Sequence, residues 1–107
     1  MSEPAEITRA AVDAAFRSVG GEREQRWGES GDEAKDAYVQ RLRQGAGEPV
    51  ELSGLLADPD AAERWAGLPW LLRAEYVAWI NGARTGFMRR RRAAFALKNE
   101  AESTPVD

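Results

Sequence analysis

The segment from residue 72 to residue 83 constrains the fold of this chain more than any other. Its apolar side chains repeat at helical spacing and lie within about 100° of one another around a helix axis; they are Leu72, Tyr76, Trp79, Ile80 and Ala83. This pattern predicts the strongest amphipathic helix of the protein, with Trp79 on its inner face. Four consecutive arginines at 89–92 follow it, so the apolar helix runs into the most basic segment of the sequence.

Glycine and proline divide the rest of the sequence into short segments. Apolar residues at helical spacing predict further helices at roughly 8–19, 32–44, 59–66 and 87–98. Residues 20–31 contain four glycines and predict a loop, with room for one helical turn and for motion. Residues 50–56 predict a short helical or extended piece.

Two of the predicted helices start with capping signals. Ser30 and Glu33 have the spacing of a capping box, in which each side chain satisfies a backbone N–H of the other residue. Asp58 followed by Pro59 is a good N-cap with proline at the first helical position. These signals predict where the second helix and the short helix at 59–66 begin.

The predicted segments together give the fold class. A chain of 107 residues has the size of one domain with one core. We therefore expect an all-α protein, a compact single-domain helical bundle of four to six helices over residues 1–98. Residues 99–107 contain serine, threonine, proline and three acids, and they predict a frayed, disordered tail.

The composition excludes several kinds of chemistry. The chain has neither cysteine nor histidine, which removes thiolate nucleophiles, the commonest general base and the commonest metal ligands. We therefore expect no metal and no cofactor, and the composition favours a role in binding over catalysis. The sequence shows neither a membrane-spanning apolar run nor a secretory signal, and this predicts a cytoplasmic protein without a membrane partner.

Charge is unevenly distributed along the chain. Residues 76–99 hold six basic and no acidic residues, whereas residues 1–75 hold 15 acidic and nine basic ones. This charge asymmetry has two interpretations. The basic segment is a surface for an anionic partner, or it is a helix that docks on the acidic part of the same chain.

Residues 50–98 carry a family resemblance. Its motifs are the run from Leu52 to Leu56, the segment Asp58-Pro-Asp-Ala-Ala-Glu-Arg-Trp-Ala-Gly-Leu-Pro, the segment Arg73-Ala-Glu-Tyr-Val-Ala-Trp-Ile, and the pair Ala83-Arg84 followed by Arg89-x-Arg91-Arg92. Together they resemble the C-terminal helical module of the YdeI/OmpD-associated, or bacteriocin-protection, family. The resemblance implies a role in protection or stress resistance and supplies no catalytic mechanism. Arg84 stands where that family usually has lysine, and Phe87-Met88 replaces an acidic-threonine pair.

Arg91 is the most unusual member of the arginine run. On a helix over 87–98 it falls in the middle of the apolar face formed by Phe87, Met88, Ala94 and Phe95. Because an unpaired buried charge is costly, three arrangements are open. Arg91 pairs with an acid of the N-terminal part, binds an anionic ligand, or lies on the surface because the helix faces another way.

Aromatic side chains suggest a ligand site. The sequence has four tryptophans, and buried indoles often line clefts where a planar ligand stacks. Trp65 and Trp79 fall on predicted inner faces, whereas Trp27 and Trp70 are candidate lids. The leading hypothesis is a non-catalytic binding, protection or accessory protein. It would sequester a small aromatic or anionic molecule, or dock on a protein partner, through Trp27, Trp70, Tyr76, Trp79 and Arg91.

The sequence is compatible with two other functions, nucleic-acid binding and catalysis. Arginines and a lysine of the C-terminal segment form a basic patch suited to phosphates, which predicts a nucleic-acid-associated regulator; its residues are Arg84, Arg89, Arg90, Arg92 and Lys98. Catalysis would depend on a single cluster of Glu75 and Tyr76 beside Arg91.

Overall fold

The computed structural model describes residues 3–102, with side chains as far as Leu97. This part of the chain is an all-α single domain, as predicted, and it contains seven helices and no strand, one helix more than the predicted range. The helices are α1 (Arg9–Val19), α2 (Gly21–Glu29), α3 (Asp32–Gln44), α4 (Val50–Leu55), α5 (Pro59–Ala66), α6 (Trp70–Asn81) and α7 (Gly86–Glu102).

Local capping sets the start of two helices. The Asp58 carboxylate accepts a hydrogen bond from the backbone N–H of Ala61 at 3.2 Å, which confirms the predicted cap of α5. Thr8 caps α1 in the same way, because its hydroxyl accepts from the N–H of Ala11 at 3.1 Å. Each cap satisfies one of the backbone donors that the first turn of a helix leaves without a partner.

The loop predicted at 20–31 is wrong, because α2 occupies most of it. Trp27 stacks on Phe16 with ring centroids 4.5 Å apart, and its indole N–H donates to Asp13 at 2.7 Å. This tertiary anchor stabilises a short helix that its glycines would not favour alone. The predicted capping box is also absent: Gly31 is the N-cap of α3, and the Ser30 hydroxyl donates to the Arg26 carbonyl.

Helix α6 lies between two hydrophobic cores. On one side Trp70 and Leu71 join a core with α1, α2 and α3, and on the other side Ile80 joins a core with α4, α5 and α7. The helix is therefore apolar around most of its circumference, as buried helices are. The predicted one-sided amphipathic helix was wrong on this point, and Trp79 is 39% exposed.

A polar cluster joins α6 to the ends of its neighbours. The Asn81 side chain donates to the carbonyls of Gly45 at 2.7 Å and Gly47 at 2.9 Å, just after α3. Arg89 of α7 donates to the Asn81 side chain at 3.0 Å and pairs with Glu51 of α4 at 3.2 Å. These contacts satisfy carbonyls at the end of α3 that no helix turn can satisfy.

Helix α7 packs through a different face from the predicted one. Ala93, Ala96 and Leu97 are buried, whereas Phe87 and Phe95 are more than half exposed. Arg91 is exposed, so its predicted position in a buried apolar face is wrong and the surface arrangement is the one observed. The helix includes residues 99–102, which the sequence assigned to the tail, and residues 103–107 lie outside the described residues.

The crossing of α3 and α6 leaves no room for a side chain at Gly45. A Cβ atom there would lie 2.7 Å from the Ala78 Cα atom. We expect Gly45→Ala to lower the free energy of unfolding by about 1–3 kcal/mol, because overpacking must be relieved by backbone movement. Urea denaturation measures the change. Gly54→Ala is the control, since nothing lies within 4 Å of its added Cβ; equal effects of both variants would contradict the steric explanation.

Candidate ligand sites

The predicted ligand residues lie in three separate places. Trp27 and Trp70 are 9% and 3% exposed, so both are core residues and neither is a lid. Trp79 was predicted to be core and instead borders an open groove, where its ring lies 6.5 Å from that of Tyr76. Arg91 stacks on Phe87 of its own helix at 5.8 Å. The structure brings together Tyr76 and Trp79 and separates them from Trp27.

Two cavities lie on roughly opposite sides of α6 and have different chemistry. One stripe of the helix, with spacing i, i+3, i+4 and i+7, lines the larger cavity; it consists of Trp70, Arg73, Ala74 and Val77. The opposite stripe, with the same spacing, lines the smaller one; it consists of Leu72, Glu75, Tyr76 and Trp79. We call the first the arginine cleft and the second the aromatic groove.

The arginine cleft has a volume of about 520 Å³. Its apolar wall combines Trp65 of α5 with Trp70 and Val77 of α6. The charged residues Arg43 of α3, Arg73 of α6 and Glu48 also border it. A cavity of this size with an apolar wall and two well-placed cations has the composition of a small-molecule site.

The segment of residues 3–7, which we call the N-terminal strap, borders the same cleft. The carboxylate of Glu3 lies 3.9 Å from Arg73, and that of Glu6 lies 3.6 Å from Arg43. Both carboxylates are 70% exposed, and neither distance is that of a direct hydrogen bond. The strap therefore balances the charge of the two arginines without holding them tightly.

The Arg73 guanidinium is only partly satisfied by the protein. It donates one long hydrogen bond of 3.4 Å to the Ala66 carbonyl. Its Nε atom is buried, and no acceptor among the described residues lies within hydrogen-bond range. Because arginine carries five N–H donors, this side chain retains capacity to bind an added anion.

The basic patch predicted for nucleic acid is divided by internal contacts. Arg89 forms an ion pair with Glu51 and a hydrogen bond with Asn81. Arg92 donates to the Trp79 carbonyl at 2.7 Å. The backbone N–H of Glu51 and then the Arg89 guanidinium hold the pKa of the Glu51 carboxyl below its usual range. Arg84 and Arg90 are exposed. The side chain of Lys98 lies outside the described residues.

The acidic residue of the predicted catalytic cluster has other partners. Glu75 accepts hydrogen bonds from the Tyr38 hydroxyl and from Arg23, the latter at 2.5 Å. Burial and then the Glu75 carboxylate raise the pKa of Tyr38. Burial alone would lower the pKa of Arg23, but the hydrogen bond to Glu75, the charge of Glu75 and smaller contributions of Tyr38 together outweigh burial, and the pKa is raised. This arrangement is an ion pair with a neutral tyrosine, and it links α2, α3 and α6.

Neither a membrane-spanning helix nor a metal-binding cluster is present among residues 3–102. No helix in residues 3–102 is long and apolar enough to cross a membrane. No group of three or more carboxylates there could hold a metal ion.

Most of the arginine cleft was not predicted from the sequence. Arg43, Arg73 and Trp65 were not proposed as ligand residues, and neither were the two glutamates of the strap. The spacing of Trp70, Arg73 and Val77 is visible in the sequence, and it signals a second helix face with a charge at one edge. The pairing of that face with residues 3–7 depends on the fold, and no local pattern signals it.

Comparisons with known proteins give no match. No family model matches the chain, no curated protein is significantly similar to it, and no solved structure is significantly similar to it. The resemblance to the YdeI/OmpD-associated family therefore stays an expectation from its motifs.

The Tyr38 hydroxyl gives a prediction for alkaline pH. Because the folded-state pKa is raised, Tyr38 keeps its proton when the unfolded chain loses it near pH 10. The free energy of unfolding should therefore fall as the pH rises above about 10. Urea denaturation at neutral pH and above that value measures the fall, and Tyr38→Phe should reduce it. An identical pH dependence of the two proteins would exclude this contribution.

Proposed function

We propose that this protein is a non-catalytic binding protein that holds a small ligand in the arginine cleft. The ligand has an apolar body, which packs on Val77 and on the exposed edges of Trp65 and Trp70. Its anionic group binds Arg43 and Arg73. The observation that carries the proposal is the pair of arginines beside a tryptophan-lined cavity of about 520 Å³. A protection or accessory role, as the family resemblance implies, would use such sequestration.

The strap supports this choice of ligand chemistry. Its two glutamates place carboxylates beside the same two arginines that would bind the ligand. Exposed ion pairs of this kind contribute only about 0.2–1 kcal/mol each, so a better-fitting anion can replace them. An anion would therefore bind Arg43 and Arg73 by displacing the strap, and the strap competes with it.

The nucleic-acid-associated alternative has weaker support. Arg89 pairs with Glu51 and donates to Asn81 within the protein, which leaves one cation of the patch fewer for phosphates. The two functions differ in their response to salt, because phosphate contacts weaken steeply as ionic strength rises. Binding in a partly enclosed cleft changes much less.

The first test uses 1-naphthoate as the probe and the uncharged 1-naphthalenemethanol as its matched control. Amide and indole NMR signals should shift at Trp65 and Trp70, and naphthoate should bind more tightly than the alcohol. Arg73→Gln and Arg43→Gln should each weaken naphthoate binding by about 10- to 100-fold, the effect of losing a charged hydrogen bond. Arg84→Gln, which removes an exposed arginine elsewhere, should leave affinity unchanged.

Two results would overturn the proposal. One is binding of neither compound at millimolar concentration. The other is naphthoate binding that persists in the Arg43→Gln and Arg73→Gln variants, since the anion would then lie elsewhere. The NMR spectra also show whether each variant is folded, so loss of binding through unfolding is recognised directly.

The strap makes a separate prediction. Replacing Glu3 and Glu6 together by glutamine removes both competing charges and changes the shape of the strap little. We expect naphthoate affinity to rise by about 2- to 30-fold, the worth of two exposed ion pairs. The double variant Glu22→Gln with Glu63→Gln has the same net charge and should bind like wild type. An equal gain in both double variants would show a general charge effect instead of competition at the cleft.

A further inference from the structure

The aromatic groove on the other side of α6 has a different character from the arginine cleft. Its volume is about 360 Å³, and its walls are mainly Leu72, Tyr76, Trp79 and Phe95. Trp79 is 39% exposed and Phe95 is 54% exposed, and their rings meet edge to face at 5.6 Å. An exposed cluster of large aromatic side chains is typical of a surface that another molecule covers.

The outer face of α7 extends this surface. At 100° per residue, Met88, Arg91 and Arg92 fall within about 60° of Phe95 around the helix. Met88 is 39% exposed, and the Arg92 guanidinium stacks on the Trp79 ring at 5.1 Å. Tryptophan, phenylalanine, methionine and arginine are the residues enriched in protein interfaces. Helix α7 therefore adds an apolar and basic edge to the groove.

The charges around the groove favour an acidic occupant. On α7, the Arg92 guanidinium stacks on Trp79, and Arg91 lies on the same helix face as Phe95. Arg41 borders the adjoining cavity beside Trp79. The acidic residue in both linings is Glu75, and its charge is already balanced by Arg23. The surface thus combines an apolar floor with a net positive rim, which is complementary to an apolar stripe flanked by carboxylates.

We propose that the aromatic groove and the outer face of α7 dock an acidic amphipathic helix of a protein partner. Apolar side chains of that helix at i, i+3, i+4 and i+7 pack on Trp79 and Phe95, in the helix-in-groove mode of recognition. Its flanking glutamates or aspartates pair with Arg91 and Arg92. This surface lies across α6 from the arginine cleft, and its occupancy does not depend on the ligand proposed for the cleft.

The experiment measures binding of a fluorescein-labelled peptide with two tandem copies of Glu-Leu-Leu-Glu-Glu-Leu-Leu. Its controls are a peptide with the same composition in an order that spreads leucine around the helix, and a peptide with lysine in place of glutamate. An oligothymidine of similar net charge tests the nucleic-acid alternative. Fluorescence anisotropy at low and physiological salt gives the affinities, and the Trp79 indole NMR signal reports the site.

We expect the acidic amphipathic peptide to bind and both control peptides to bind at least tenfold more weakly. Phe95→Ala and Trp79→Ala should each weaken binding by more than about tenfold, as central interface residues do. Val50→Ala removes an 81% exposed apolar side chain elsewhere and should have no effect. The pair Arg91→Gln with Arg92→Gln should weaken binding more than the charge-matched pair Arg84→Gln with Arg90→Gln.

Three results would overturn the proposal. One is equal binding of the acidic and lysine peptides, since charge complementarity would then play no part. Another is no binding of the acidic peptide at millimolar concentration. The third is tight binding of oligothymidine alone that is lost in the Arg91→Gln, Arg92→Gln variant, which would assign the surface to nucleic acid.

Discussion

The structure depends on the burial of α6 from several sides at once. Leu71 and Ile80 are fully buried in two different cores, so neither core closes without this helix. The approach of α3 is as close as a backbone permits, because Gly45 packs directly against Ala78. A helix that supplies both cores leaves little freedom to its neighbours, and its two remaining stripes line the two cavities.

Polar contacts fix the arrangement that apolar packing alone leaves undetermined. Hydrophobic burial is not directional, whereas hydrogen bonds are. Asn81 donates to the Gly45 carbonyl at the end of α3 and accepts from Arg89, and these two bonds fix where the end of α3 and Arg89 lie. Arg89 also shows how the acidic and basic parts of the sequence meet: one member of the arginine run pairs with Glu51. Arg91 and Arg92 instead lie along the exposed side of α7.

The parts of the fold that were predictable are those set by neighbouring residues. Asp58 and Pro59 specify the start of α5 through contacts within one turn, and the bounds of α3 follow from its own spacing and glycines. The prediction that Trp27 is a lid in a loop was wrong because its partners, Phe16 and Asp13, lie on another helix. Trp79 was misjudged because helical periodicity shows which side chains share a face, but it does not show whether another helix covers that face.

The two faces of α6 explain why one small domain can present two unlike sites. Arg73 belongs to the cleft stripe and Glu75 to the groove stripe, so the helix carries opposite charges on opposite sides. Glu75 is held by Arg23 and Tyr38 and is already satisfied. Among the described residues, Arg73 has one long hydrogen bond to the Ala66 carbonyl and a strap carboxylate 3.9 Å away. Hydrogen-bonding capacity thus remains at Arg73 and not at Glu75. The anion proposed for the cleft would bind Arg73, whereas the docking proposed for the groove would depend on exposed aromatic surface and on the arginines of α7.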